Sequence, residues 1–205
     1  MPIHGTRGII RGMADTEVPE YLVLAYLRDG RYRCVEAALA VLHSSGDVDV
    51  ARPGTVRRTE PGRAPRAGLE RIIWQAIQDR VAPGAIAARG PVDRALNDLR
   101  RQLRRQRLIH RFVPAREWLP TRTRRADAML ADAERRCPSP TSLGGEDDAR
   151  VAVGLPVALY GPHALRELMP RFAQDSGLLE RASSDTSIIE ENSKQDQTYG
   201  YTSGM

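Results

Sequence analysis

Apolar residues in this chain recur at helical spacing, segment after segment, and that periodicity is the strongest limit on its fold. Between Pro19 and Leu27, the residues Tyr21, Leu22, Leu24, Ala25 and Leu27 fall at helical intervals, and Asp29-Gly30 supplies a stop. A second helix fits 31–44, with Val35, Ala38, Leu39 and Leu42 on one stripe and Gly46 at its end. Aromatic residues make up only 5% of the chain, so the core must be built from Ala, Leu, Val and Ile, which suits packed helices better than a large sheet.

Small hairpins punctuate the helices. Val48, Val50 and Ala51, then Pro53-Gly54, then 55–59 read as two short strands about a turn, the outer one basic. The order then repeats: a helix over 68–80, a short helix or turn over 81–89, and a strong helix from Val92 to Leu108 through Leu96, Leu99 and Leu103. Strands at 109–113 and 117–119 form a second hairpin, and a helix over about 123–136 takes Thr121 or Thr123 as its cap. The expected fold is mainly α with small β-hairpins: two winged-helix-like units, a C-terminal helical segment and a flexible tail. The expected divisions are an N-terminal arm at 1–14, units at 15–62 and 63–136, a linker at 137–150, a helical segment at 151–182 and an acidic tail at 183–205, whose composition predicts disorder.

Two cysteines, Cys34 and Cys137, match neither a metal-binding pair nor a disulfide framework, which fits reduced thiols. No apolar run reaches the roughly 20 residues of a membrane helix, and 1–12 lacks a signal-peptide stretch, so a cytoplasmic protein without a membrane partner is expected. Charge is unevenly spread. Up to Arg136 there are 26 Arg against 16 Asp or Glu, a net of +10, whereas 5 basic and 10 acidic residues follow from Cys137 onward. A basic body favours an acidic partner, either nucleic acid or an acidic peptide, and lets the acidic tail lie on its own body.

Chemistry-bearing sets are missing from the sequence. His4, His43, His110 and His163 stand apart from one another and from any ligand-like grouping, so each reads as structural or surface histidine. Glu146, Asp147 and Asp148 follow a double glycine and read as spacer or helix cap. Neither Ser44-Ser45 nor Ser142 sits on a nucleophile elbow, and no phosphate loop or dinucleotide fingerprint occurs. The expectation is a non-enzymatic protein without cofactor or metal.

Arginines supply the one positive signal. Arg100, Arg104 and Arg107 form a stripe on the 92–108 helix, with Arg101 and Arg105 beside it, opposite Leu96, Leu99 and Leu103. Arg57 and Arg58 on the first hairpin, with Arg63 and Arg66 after it, extend the same surface. Such a stripe is either a solvated face, or a site that neutralises phosphates or clamps carboxylates.

A family resemblance narrows the partner. The residues in question are Glu20-Tyr21-Leu22 through Leu27-Arg28-Asp29-Gly30-Arg31, the run from Val35 to Leu42, Gly46-Asp47-Val48, and the run from Val157 to Leu165. They resemble an uncharacterised bacterial family, often membrane-anchored, that opens Tyr-Glu-Leu-Ala-Tyr-Leu-Ala-Gly-Gly and continues Ala-Leu-Ala-Ala-Leu. Its members are frequently encoded beside multinuclear non-haem iron enzymes that modify ribosomally made peptides. This chain lacks the membrane helices and the glycine- and cysteine-rich tail of many members. The resemblance implies an adaptor that presents an acidic precursor peptide to such a modifying enzyme, and Tyr199 and Tyr201 in the tail make the tail itself a candidate substrate. A winged-helix DNA-binding regulator is the competing expectation, with the 92–108 helix in the major groove.

Overall fold

The computed structural model describes residues 18–59, 68–77, 80–110, 121–143 and 148–179. Helix α1, Glu20–Ser44, breaks at Asp29 and Gly30, where Gly30 takes φ 72° and ψ −145°. A side chain at that φ would be strained, so the Asp-Gly stop in the sequence becomes a kink between two helical halves. Arg33 ties the kink by donating to Asp29 (Nε to Oδ2, 2.8 Å) and to Glu36 (Nη1 to Oε2, 2.7 Å). Every residue from Tyr21 to Leu27 is buried, so the first half is enclosed on all sides rather than amphipathic.

After α1 come β1, Val48–Arg52, and β2, Thr55–Arg58, antiparallel with Val48 opposite Arg58, Asp49 opposite Arg57 and Val50 opposite Val56. Beyond β2, Val81 adds a third short rung: Val56 N donates to Val81 O at 2.9 Å, and Val81 N to Val56 O at 3.1 Å. Helix α2, Gly68–Ala76, precedes this rung, and α3, Pro83–Ile86, and α4, Gly90–Arg105, follow it. Ile109 then pairs with Arg122, and α5, Arg124–Arg136, starts on a Thr123 cap whose Oγ1 accepts from Ala126 N.

The C-terminal part opens with a π-helical stretch, Arg150–Gly154, and continues as α6, Leu155–Tyr160, α7, Pro162–Leu168, and α8, Pro170–Asp175. Proline stands in the first turn of each α-helix here, where its missing N–H costs nothing. Helix α6 and the π-helical stretch pack on α1. A Cβ on Gly154 would lie 2.8 Å from Val41 Cγ2 and 3.0 Å from Tyr21 Cδ2, so only glycine permits this approach. One continuous apolar core results, with Leu22, Leu24, Leu27, Leu39, Leu42, Ile73, Leu96, Leu103 and Leu165 fully enclosed. Each such side chain contributes about 1.5–3 kcal/mol from burial.

The chain is therefore mainly helical with a small two-stranded hairpin, as the periodicity predicts. Some bounds differ. The expected 92–108 helix begins at Gly90 and ends at Arg105, because Arg107 turns left-handed at φ 58° and Leu108 N reaches back to Leu103 O (2.9 Å) in a helix-terminating turn. An isolated antiparallel bridge joins Ile109 to Arg122, while the second hairpin expected over 109–113 and 117–119 lies, apart from 109 and 110, outside the described residues. Among the described residues, no helix is long and apolar enough to cross a membrane.

Candidate partner-binding surface

Helix α4 carries most of the expected site, but its arginines divide differently from the sequence expectation. Arg101 and Arg105 are exposed, whereas Arg100 and Arg104 are half-buried. Arg100 and Arg104 each follow a core leucine, Leu99 and Leu103, so they lie only about 100° around the helix from the core face. They flank the seam where α4 meets α1 instead of pointing directly away from it. Arg107 has left the helix and does not continue their stripe. Outward from α4 stand Arg94, Asn97, Asp98, Arg101 and Arg105. Arg101 pairs with Asp98, and Asn97 donates to Asp93 Oδ2 at 3.0 Å, so acidic groups share this face.

Tyr26 of α1 lies at that seam, 5% exposed. Burial pushes its phenol above the ordinary value of 10.0, and the guanidinium groups of Arg100, Arg31 and Arg104 pull it partly back. Arg31, just past the kink, pairs with Asp93 at the start of α4. From the next strand Arg122 donates from Nη1 to Leu27 O (3.4 Å), and its Nε lies 3.1 Å from Asp127 Oδ1. Arg125 donates to Gln106 O at 3.4 Å, and Thr123 Oγ1 donates to Arg107 O at 2.8 Å. The end of α4, the start of α5 and the kink of α1 thus gather arginines from three parts of the sequence. Sequence spacing could not show that Arg31, Arg122 and Arg125 belong with α4, because only the fold brings them together.

Arg57 and Arg58 are exposed on β2. Arg58 lies over the Trp74 ring of α2, 4.8 Å from its centroid, and Arg57 stands opposite Asp49. Arg58 is engaged with α2, and no described contact joins either arginine to the α4 arginines. Arg63, Arg66, Tyr199 and Tyr201 lie outside the described residues.

The first hairpin offers little free backbone edge. Val81 occupies β2, while on β1 the ring of His43 meets Val48 O (Nδ1, 3.0 Å) and the Asp49 carboxylate takes Val50 N (2.8 Å). His43 also stacks on Phe172 of α8 at 3.9 Å, and Gly54 N donates to Asp175 O at 2.7 Å.

A second polar centre lies at Tyr21, near the start of α1. The Glu70 carboxylate, 3% exposed, accepts from Tyr21 Oη (2.7 Å), Arg150 Nε (2.9 Å) and Arg150 Nη2 (2.6 Å). Burial, then the Glu70 charge and hydrogen bond, holds the Tyr21 phenol well above 10.0, and the Glu70 hydrogen bond is the main cause raising Arg150. A cleft of about 450 Å³, lined in part by Ser44, Asp47, Asp148 and Arg150, opens beside the network. A second cleft, of about 360 Å³, lies between Tyr32, Pro83 and Leu178. Among the described residues, no group of three or more His, Cys, Asp or Glu is placed to hold a metal ion.

Compared with known proteins, the chain matches no family model, no curated protein and no solved structure.

Proposed function

We propose that this chain is a non-catalytic adaptor that binds an acidic, ribosomally made precursor peptide and presents it to a modifying enzyme of the multinuclear non-haem iron type. The observation that carries the peptide-binding part is the gathering of Arg31, Arg100, Arg104 and Arg122 around the α1–α4 seam, beside the Ile109–Arg122 pairing. Guanidinium groups clamp carboxylates with two parallel bonds, and a half-buried seam strengthens such bonds by reducing solvent screening. Both edges of the first hairpin carry hydrogen bonds, so a peptide adding as a strand would use the second pairing instead. The iron-dependent partner rests on the resemblance of 20–48 and 157–165 alone. The acidic tail at 183–205, with Tyr199 and Tyr201, is the intramolecular form of the same substrate.

A DNA-binding regulator is the second reading, favoured by the order of α4 and then the Ile109–Arg122 pairing, a helix followed by a wing. Asp93 and Asp98 on α4 weigh against it, since they would approach phosphates. Anisotropy titrations separate the two. An acidic peptide and a random duplex are compared at about 0.15 M salt, using the parent and the double variant Arg100→Gln, Arg104→Gln. Under the adaptor reading the peptide binds, the duplex binds weakly, and the variant weakens peptide binding by about tenfold or more. Tight duplex binding with a steep salt slope supports the regulator instead.

A further inference from the structure

Some arginines in this protein give a carboxylate the side of the guanidinium, while Arg28, Arg101 and Arg135 meet theirs through an Nη alone. Arg150 gives Nε and Nη2 to the two oxygens of Glu70, and Arg33 gives Nε and Nη2 to Asp29. Two arginines at the α1–α4 seam leave that side buried and unused. Arg31 spends Nη2 on Asp93 and leaves its Nε buried without a hydrogen-bond partner, and Arg104 also leaves its Nε buried and unpartnered. A buried N–H without an acceptor is costly, by about 1–3 kcal/mol each, and native structures hold few of them. Three guanidinium groups lie within electrostatic reach of Tyr26, whereas only Asp93 is seen pairing with one of them. The seam therefore holds excess positive charge in a place where water screens it poorly.

We propose that the α1–α4 seam is a carboxylate-binding notch in which Arg104, assisted by Arg31 and Arg100, takes one acidic side chain of the ligand side-on. This rests on the peptide-binding reading above and assigns the residue that recognises the peptide's acid. In the free protein the Nε–H of Arg104 is closed off from solvent, so the side chain must turn outward to meet the ligand. Once turned outward the N–H can bond water, so what the ligand adds is the stronger charge-assisted bond of a carboxylate. A carboxylate fits better than a lone point charge, since its two oxygens match the Nε–H and Nη–H fork as Glu70 matches Arg150.

Side-chain Nε–H resonances of the full chain report the notch directly. The probes are succinate, a short Glu-containing peptide, inorganic phosphate, and chloride at matched ionic strength. Succinate and the peptide are expected to shift the Arg104 and Arg31 Nε–H signals saturably and slow their exchange with water, while chloride leaves them unmoved. Arg104→Lys keeps the charge but loses the fork, and is expected to weaken peptide binding at least about tenfold, whereas Arg101→Gln changes it less than about threefold. Linear shifts equal in size at Arg57 and Arg101, or saturation by phosphate alone, would overturn the carboxylate notch. If the Lys variant fails to fold, the parent's Nε–H response to succinate decides by itself. Peptide binding that leaves both Nε–H signals unmoved removes the notch and spares the adaptor. A notch that binds succinate as well as any acidic peptide stands, while the adaptor reading falls.

Discussion

Replacing Arg150 by Ala is expected to cost about 3 kcal/mol of folding stability. Glu70 is shielded from water and accepts three hydrogen bonds, two of them from Arg150. The substitution removes both bonds and the only cation described at the carboxylate, leaving Tyr21 as its remaining partner. Breaking a fully buried pair costs about 3–5 kcal/mol. The Arg150 side chain is 48% exposed, so water can enter part of the space it vacates, which places the effect at the lower end. For a chain of this size each kcal/mol corresponds to about 2–4 °C in Tm, so a fall of about 6–12 °C is expected. Urea unfolding at neutral pH measures the change, with an unchanged m-value marking a loss of stability rather than of compactness. Adding Glu70→Leu to Arg150→Ala is expected to recover much of the loss, because no charge is then left buried alone. A cost for Arg150→Ala below about 1 kcal/mol, the range of exposed pairs, would refute the reasoning. So would a double variant less stable than Arg150→Ala.

Three further outcomes follow from the geometry. Folding raises the phenols of Tyr21, Tyr26 and Tyr160 above 10.0, and burial raises the Cys34 thiol above 9.0. Stability is therefore complete below those ordinary values and falls as pH rises through and beyond them; urea midpoints between neutral and about pH 11 check this, with Tyr21→Phe shallower than the parent. Gly154→Ala is expected to destabilise by about 1–3 kcal/mol, since the new methyl overlaps Val41 and the Tyr21 ring; an unchanged midpoint contradicts that contact. Arg107→Gly is expected to stabilise by up to about 1 kcal/mol, because its left-handed φ suits glycine; a loss of stability would mean that the Arg107 side chain holds the helix end.

What the sequence revealed and what it hid divide along the distance between interacting residues. The Asp29-Gly30 break, the Pro53-Gly54 turn and the Thr123 cap depend on neighbours a few positions away, so composition and spacing expose them. The end of α4 is also local, yet nothing marks it, because Arg107 occupies a left-handed position where glycine would have signalled the stop. The π-helical stretch and α6 read only as an apolar run around Pro156, which periodicity cannot assign to a particular backbone. The Glu70–Arg150 pair spans 80 positions, beyond any spacing rule, though one clue was present. Glu70 sits three before Ile73 and seven before Ile77, on the buried stripe of α2, and a carboxylate there needs a cation from elsewhere in the chain. The α1–α4 seam presents the complementary case. Arg104 directly follows core Leu103 and is drawn inward by that packing, and Arg31 directly follows the kink, with its Nη2 on Asp93. Glu70 found its cation within the fold, whereas the Nε–H groups of Arg31 and Arg104 did not find an acceptor there. Under the proposed notch, that difference separates a charge placed for structure from charges that would meet a ligand.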